Sequence, residues 1–245
     1  MKKVILSLTI ISLLTLVIIV SCKKTGNDSS SYTCNTCKQA PDAVAANDAN
    51  SKGIYKGVVI GSSGTIKFNV ANSDNTITAT MVIDGVTVTL TSSITWVQGQ
   101  SYVAPFTGTL NGSAVSINFK VDANGGNPII TSSNIPGHPN ADFTLVKETS
   151  SALIECFEGT YHSSLPEDGT FNLLLSRSLK QYGGSARKNG STVASSTFNG
   201  SINGNNDLVD AQDNQVKAHL SGDILSGNSK DRNGNTITVN AKRTL

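Results

Sequence analysis

The feature that most constrains the fold is a series of short segments and turn signals that occurs twice in the same order. The order is unchanged between the copies, although the spacing varies, so the sequence predicts a duplicated structural unit. We place the first repeat at 51–150 and the second at 151–245. The matched segments are 53–55 with 159–161, 64–68 with 169–173, 84–85 with 189–190, 106–112 with 198–204, and 144–147 with 238–242.

Both copies have the pattern of β-strands joined by tight turns. Ile66, Phe68 and Val70 are separated by polar residues, which is typical of a strand with one buried face. Asp84-Gly85 and Asn111-Gly112 lie between such segments, and both dipeptides favour type I′ hairpin turns. Tight turns join antiparallel neighbours. The sequence therefore predicts an all-β protein of two tandem antiparallel β-meander repeats, forming small barrels or a sandwich.

The first 21 residues have the parts of an export signal. Two lysines precede an uncharged run at 4–20, and Ser21 stands before Cys22. Ile19-Val20-Ser21-Cys22 resembles a lipobox, which implies that 1–21 is a lipoprotein signal peptide and that Cys22 carries palmitate in the mature protein. The alternatives are an uncleaved anchor and an ordinary signal peptide. At about 1.5 Å per residue the run would span roughly 26 Å, short of the usual ~30 Å core.

Residues 22–50 are mostly polar, and they predict a lipidated flexible tether that contains a Cys-x-x-Cys pair. The one helix candidate beyond the signal lies at 41–48, where Pro41 opens a short turn. The style of this region resembles lipoproteins of the Bacteroidota, and Lys23 after the lipidated Cys implies sorting to the outer membrane. We expect a lipid-anchored envelope protein, and the sequence leaves its side of that membrane open.

The net charge of the chain excludes nucleic acid as a class of partner. The chain has 19 Lys and Arg residues against 17 Asp and Glu. Lys2 and Lys3 of the signal account for the excess, so the rest of the chain is neutral. Nucleic-acid binding needs a basic field, and we exclude it. Charged residues make up 15 % of the chain, compared with an average of about 25 %, so the polar surface is mostly hydroxyl and amide.

Three cysteines remain after lipidation of Cys22: Cys34, Cys37 and Cys156. No thioredoxin-type βαβ pattern surrounds Cys34 and Cys37, so we interpret them as disulfide candidates in an oxidising compartment, without a redox role. Either Cys34 or Cys37 bonds to Cys156, or the pair closes on itself and Cys156 is a buried free thiol. Zinc would need a fourth ligand, and the histidines lie far away in sequence.

The sequence shows no recognisable catalytic or cofactor motif. His138, His162 and His219 are isolated, and neither a His-Glu-x-x-His motif nor a Gly-x-Ser-x-Gly elbow is present. The segment 231–235 begins like a calcium loop but lacks its later ligands, so we interpret it as a hairpin turn. We therefore expect a protein that is not an enzyme and uses no cofactor or metal.

Trp96 and Tyr102 are the speculative ligand-binding residues. Trp96 is the only tryptophan. It lies near Tyr102, in a stretch where the matched segments leave the first copy longer than the second. An aromatic pair on an insertion could stack on a sugar ring. The alternative interpretation is that Trp96 belongs to the hydrophobic core.

The openings Gly53-Ile-Tyr55 and Gly159-Thr-Tyr161 resemble the Gly-x-Trp opening of lipocalin-like barrels, with Tyr in place of Trp. That resemblance implies a carrier of a small apolar ligand. Our leading hypothesis is a membrane-anchored, non-enzymatic binding or structural lipoprotein whose partner is an envelope protein or a glycan, and the carrier is the alternative. A glycan hydrolase would need two facing carboxylates, and the sequence assigns no such pair.

Overall fold

The computed structural model describes residues 32–61, 63–192, 196–231 and 233–245, and Tyr32–Leu245 forms one compact unit. The signal at 1–21, the lipidation site Cys22 and the first part of the tether lie outside the described residues. In the described part, 16 β-strands are accompanied by one short 3-10 helix, Ala45–Asn47, within the helix candidate. The all-β fold class is thus confirmed. No described helix has the length and apolar character needed to cross a membrane.

The first repeat is an eight-stranded antiparallel sheet that curls into a nearly closed barrel. Its strand order is β7-β6-β5-β4-β3-β2-β1-β8, and no ladder joins the fully described strands β7 and β8. At the Asp84-Gly85 and Asn111-Gly112 turns both residues have positive φ, as type I′ turns require. The strands are β1 Gly53–Ile60, β2 Gly64–Val70, β3 Ile77–Ile83, β4 Val86–Thr91, β5 Tyr102–Leu110, β6 Ser113–Val121, β7 Ile129–Asn134 and β8 Asp142–Glu148.

The second repeat is a closed eight-stranded barrel in which each strand pairs with its neighbours in sequence and β16 pairs with β9. The two tandem barrels confirm the predicted duplication of a β-meander. The strands are β9 Glu155–Ser163, β10 Glu167–Ser176, β11 Gln181–Lys188, β12 Ser196–Ile202, β13 Asp207–Asp210, β14 Val216–Ser221, β15 Ile224–Lys230 and β16 Thr236–Arg243.

The structure corrects the register of the two copies. Strands β2 and β10 match at Gly64 and Gly169, as expected. The residues two positions beyond these glycines pair with Gly57 on β1 and with Gly159 on β9. Gly57, and not Gly53, is therefore the counterpart of Gly159. With Gly64 matched to Gly169, the proposed Gly-x-Tyr correspondence is shifted by four residues, and the lipocalin-like resemblance of the two openings stays a prediction.

The match of 106–112 with 198–204 is wrong by one strand. Phe106 lies on β5, the fifth strand of its barrel, whereas Phe198 lies on β12, the fourth strand of the other. An inward aromatic followed by a turn recurs in many strands, so this pattern does not fix strand identity. With β5 matched to β13, the first copy has a loop at 92–101 where the second has one at 203–206. The extra length around Trp96 is therefore smaller than the sequence match indicated.

The two barrels pack side by side through β1. All eight residues of β1 are buried, because one face lines its own barrel and the other contacts the second barrel. Val58 packs in an apolar cluster with Ile154, Cys156 and Leu174. Beside the cluster, the Lys56 ammonium lies 2.6 Å from a Glu148 carboxylate oxygen, and both side chains are almost fully buried.

Residues 32–50 differ from the flexible tether expected there. The Tyr32 hydroxyl donates to the Arg243 carbonyl oxygen at 2.7 Å on the second barrel. On the first barrel, the Asp42 amide donates to Glu148 at 2.7 Å and the Asn47 side chain donates to the Asn72 carbonyl at 2.6 Å. We call residues 32–50 the N-terminal strap, since the segment contacts both barrels.

Candidate functional site

A cavity of about 440 Å³ occupies the interior of the second barrel. Its opening lies at the end of the barrel where β9 ends and β10 begins, because Glu167, Ser196 and Lys230 line it there. We call this end the mouth and the opposite end the base. Most of the wall is apolar and includes Phe171, Leu173, Phe198, Ala218, Leu225 and Val239.

The cavity exists because many inward positions of this barrel carry small residues. Directly paired residues share a face of a sheet, and several glycines pair with inward core residues. At Gly184, Gly200 and Gly227 an added Cβ would lie 2.0–2.3 Å from a carbonyl oxygen of a neighbouring strand. These glycines therefore allow the strands to bend closely together. The small inward residues are Gly159, Gly169, Gly184, Gly200, Gly227, Ala186, Ala218 and Ala241.

Paired charges close the base of the second barrel. Arg243 is 2 % exposed, and its guanidinium lies 3.8 Å from Glu155 and 3.5 Å from Asp223. Arg177 donates two hydrogen bonds to Glu155 from outside, at 2.9 and 3.0 Å. The strap covers this end, where the Cys34 amide donates to Asp223 at 2.9 Å. The cavity therefore opens away from Tyr32, the first described residue.

Polar side chains at the mouth are mostly engaged with one another. The Tyr161 hydroxyl donates to Glu167 at 3.0 Å, and burial together with this carboxylate raises the pKa of Tyr161 to about 12. Lys217 lies 2.6 Å from Asp213. The Asp231 carboxylate accepts backbone N–H groups of its own turn, and the pKa of Asp231 is lowered, chiefly by a hydrogen bond from the Asn235 side chain. The hairpin interpretation of 231–235 agrees with these contacts.

The interior of the first barrel is filled instead. Phe119 is fully buried and contacts four other rings, those of Tyr55, Phe68, Tyr102 and Phe106. The Phe68 and Phe119 ring centroids are 4.4 Å apart in a stacked arrangement. This aromatic cluster leaves the first barrel as a packed hydrophobic core.

The structure brings Trp96 and Tyr102 together at one end of this filled barrel. The Trp96 indole donates to the Ser51 hydroxyl at 2.8 Å and its ring packs against the core. Tyr102 is 3 % exposed and its hydroxyl donates to the Ile94 carbonyl at 3.0 Å. These contacts match the core interpretation of Trp96. Stacking of a ligand on its exposed part stays a prediction.

Cys34 and Cys37 form a disulfide in the strap, and Cys156 is a buried free thiol between the barrels. This is the second of the two pairings that the sequence left open. Burial raises the pKa of the Cys156 thiol to about 12, so the thiol is not nucleophilic at neutral pH. Within the described ranges, no three His, Cys, Asp or Glu side chains gather as metal ligands.

The sequence analysis missed the cavity residues, because no motif marks them. The available signal was compositional: several inward strand positions of the second copy carry Gly and Ala, and at one of them Ala241 stands where the first copy has Leu145. No protein-family model matches the chain, and a comparison with the curated proteins finds no match. The geometry of the second barrel is therefore the main guide to function.

Proposed function

We propose that the protein is a non-enzymatic binding protein that carries a small, mainly apolar ligand inside its second barrel. The observation that carries the proposal is the mainly apolar cavity of about 440 Å³ that opens at the mouth of the second barrel. Ligand sites in proteins usually have about 300–1,000 Å³ and apolar walls with a few polar groups. A water molecule occupies about 30 Å³, so the cavity has room for roughly 15 water molecules. That volume suits a small ligand.

We further propose that the carrier is a lipoprotein of the cell envelope, anchored in the outer membrane through lipid on Cys22. The lipobox-like Ile19–Cys22 segment supports this part of the proposal. Replacing Cys22 by Ala should abolish metabolic labelling with palmitate, and labelling that persists would contradict the anchor. The cavity proposal does not depend on this result.

Titration with an uncharged fluorescent naphthylamine tests the binding site. The chain from residue 23 onward keeps the whole compact unit Tyr32–Leu245 and avoids detergent. We expect saturable binding to this protein. Ala218→Phe places a ring in the cavity and should weaken binding by about tenfold or more, a difference of at least ~1.4 kcal/mol.

Ala114→Phe is the matched control, because Ala114 is exposed on β6 of the first barrel. It adds the same ring without touching the cavity. Equal binding by both variants would refute the cavity as the site. If the protein binds no probe, an envelope protein or a glycan bound on the outer surface becomes the favoured partner.

A further inference from the structure

Tyr182 is the one buried polar side chain of the cavity wall whose hydroxyl makes no hydrogen bond to any described residue. It is 7 % exposed and belongs to the core of the second barrel. Its ring lies over Gly200, where an added Cβ would be 2.7 Å from the Tyr182 hydroxyl oxygen. The hydroxyl oxygen is not among the fully buried atoms that lack a partner, so it stays accessible to solvent at the cavity wall. A ligand that accepts its hydrogen bond would take the place of that solvent.

The wall of the barrel is interrupted beside Tyr182. Strand β13 has only four residues and ends at Asp210, which pairs with Gly200. The Ala211 amide still donates to the Asn199 carbonyl at 3.0 Å, and among the described residues no ladder partner follows on that side as β12 continues to Ser196. The cavity and a groove on the outer face share Tyr182 and Asp210 as lining residues. A polar group bound at Tyr182 would therefore lie next to a gap in the wall while an apolar chain fills the interior.

Charges near this point disfavour an anion. Asp210 and Asp213 are the acidic groups that add to burial in raising the pKa of Tyr182. Lys217 pairs with Asp213 at 2.6 Å, which leaves Asp210 as the uncompensated charge. The Asp210 carboxylate accepts the Gln212 amide at 2.7 Å within its turn. A carboxylate brought to Tyr182 would meet the Asp210 carboxylate, a charge of the same sign.

We propose that the cavity selects amphiphiles with an uncharged polar end, such as an alcohol, over those with a carboxylate, and that the Tyr182 hydroxyl donates a hydrogen bond to that end. The apolar chain lies along Phe171, Leu173 and Phe198 toward the mouth. This inference rests on the proposed function, because it assigns the ligand class of the same cavity.

Displacement of the naphthylamine probe by decanol and by decanoate tests the inference at about pH 8, where an ordinary carboxyl group is ionised. The ten-carbon chain of either compound is short enough for a cavity with room for roughly 15 water molecules. We expect decanol to displace the probe about tenfold more effectively than decanoate. Tyr182→Phe should weaken decanol by about threefold to tenfold relative to the probe's affinity measured in the same variant, the effect of one hydrogen bond.

Tyr161→Phe is the matched control. Tyr161 also lines the cavity, but its hydroxyl already donates to Glu167, so its loss should not weaken decanol specifically. Decanoate binding as tightly as decanol, or decanol binding unaltered by Tyr182→Phe, would overturn the inference while the cavity proposal stands. Failure of the probe itself to bind would instead refute the proposed function.

Discussion

The two barrels share a strand count and a meander topology, yet they differ in what fills them. Among the described residues, nineteen buried apolar side chains form the core of the first barrel and eleven form that of the second. Leu145 and Ala241 show the difference at equivalent places, since they pair with Gly57 and Gly159 respectively. The same backbone plan thus gives a packed core in one copy and a cavity in the other.

The two barrels divide two requirements that usually compete within one barrel, which are close packing and a binding cavity. Close packing maximises the apolar contacts that stabilise a fold, whereas a binding cavity gives up such contacts. The first barrel provides a filled core, and its strand β1 is buried against the second barrel on its outer face. The second barrel can therefore lack part of its core while it remains attached to a stable neighbour.

The largest expected effect comes from removing an aromatic ring from the filled barrel. Phe119→Ala should lower the free energy of unfolding by about 3–5 kcal/mol, because it leaves a hole among four rings. Phe198→Ala in the second barrel should cost about 1–2 kcal/mol, since Phe198 is only partly buried and already borders the cavity. Urea unfolding measures both. Equal losses would mean that the second barrel is as tightly packed as the first.

The next effect concerns a buried ion pair of the first barrel, Lys56 with Glu148, where Lys56 Nζ also donates to the Ile154 carbonyl at 3.0 Å. Glu148→Gln should cost about 3 kcal/mol in urea unfolding, because it leaves the buried Lys56 ammonium without an opposite charge. Asp168→Asn is the control, since Asp168 pairs with His162 in an exposed position, and surface pairs contribute about 0–1 kcal/mol. A loss at Glu148 no greater than that of the control would show that this buried ion pair contributes no more to stability than a surface pair.

A smaller effect compares the same enlargement in both interiors. Ala79→Leu in the first barrel should cost about 1–3 kcal/mol, because Ala79 is 1 % exposed in a filled core. Ala218→Leu in the second barrel should change stability by less than about 0.5 kcal/mol, since the added carbons enter the cavity, where large strain is absent. Thermal and urea unfolding report both. A comparable loss at Ala218 would contradict the cavity.

Local sequence rules predicted the all-β class and the tight turns, because both depend on residues close together in the chain. Type I′ turns need positive φ at both central positions, and Asp84-Gly85 supplies residues that tolerate it. The register between the copies was wrong for a physical reason. Patterns such as an aromatic followed by Asn-Gly recur in any meander, whereas the match of Gly57 to Gly159 depends on pairing with another strand.

The candidate site lay beyond these rules, because a cavity is a property of many inward positions together. Ala218 and Ala186 are unremarkable in sequence, and their role emerges only when the closed barrel places them around one interior. Trp96 attracted attention as the only tryptophan, yet its indole is bound to Ser51 at an end of the filled barrel. Residue type alone therefore drew attention to the filled barrel, and ligand binding at Trp96 stays a prediction.

The smallest effect concerns the free thiol between the barrels. Burial raises the pKa of Cys156 to about 12 in the folded protein, whereas an unfolded chain has a thiol pKa of about 8.5. The stabilising contribution of the buried thiol is therefore complete below about pH 8.5 and is lost as the pH rises toward 12, because the unfolded state releases its proton first.

Between about pH 7.5 and pH 9.5, wild type should lose about 1 kcal/mol more of its unfolding free energy than Cys156→Ala does, the amount expected when only the unfolded thiol ionises. Other titrating groups act on both proteins and cancel in the difference. The measurement is urea unfolding at the two pH values without thiol reductants, so that the Cys34–Cys37 disulfide stays intact. Identical losses would mean that Cys156 ionises in the folded state. The barrels would then separate readily, and the filled barrel could not support the open one.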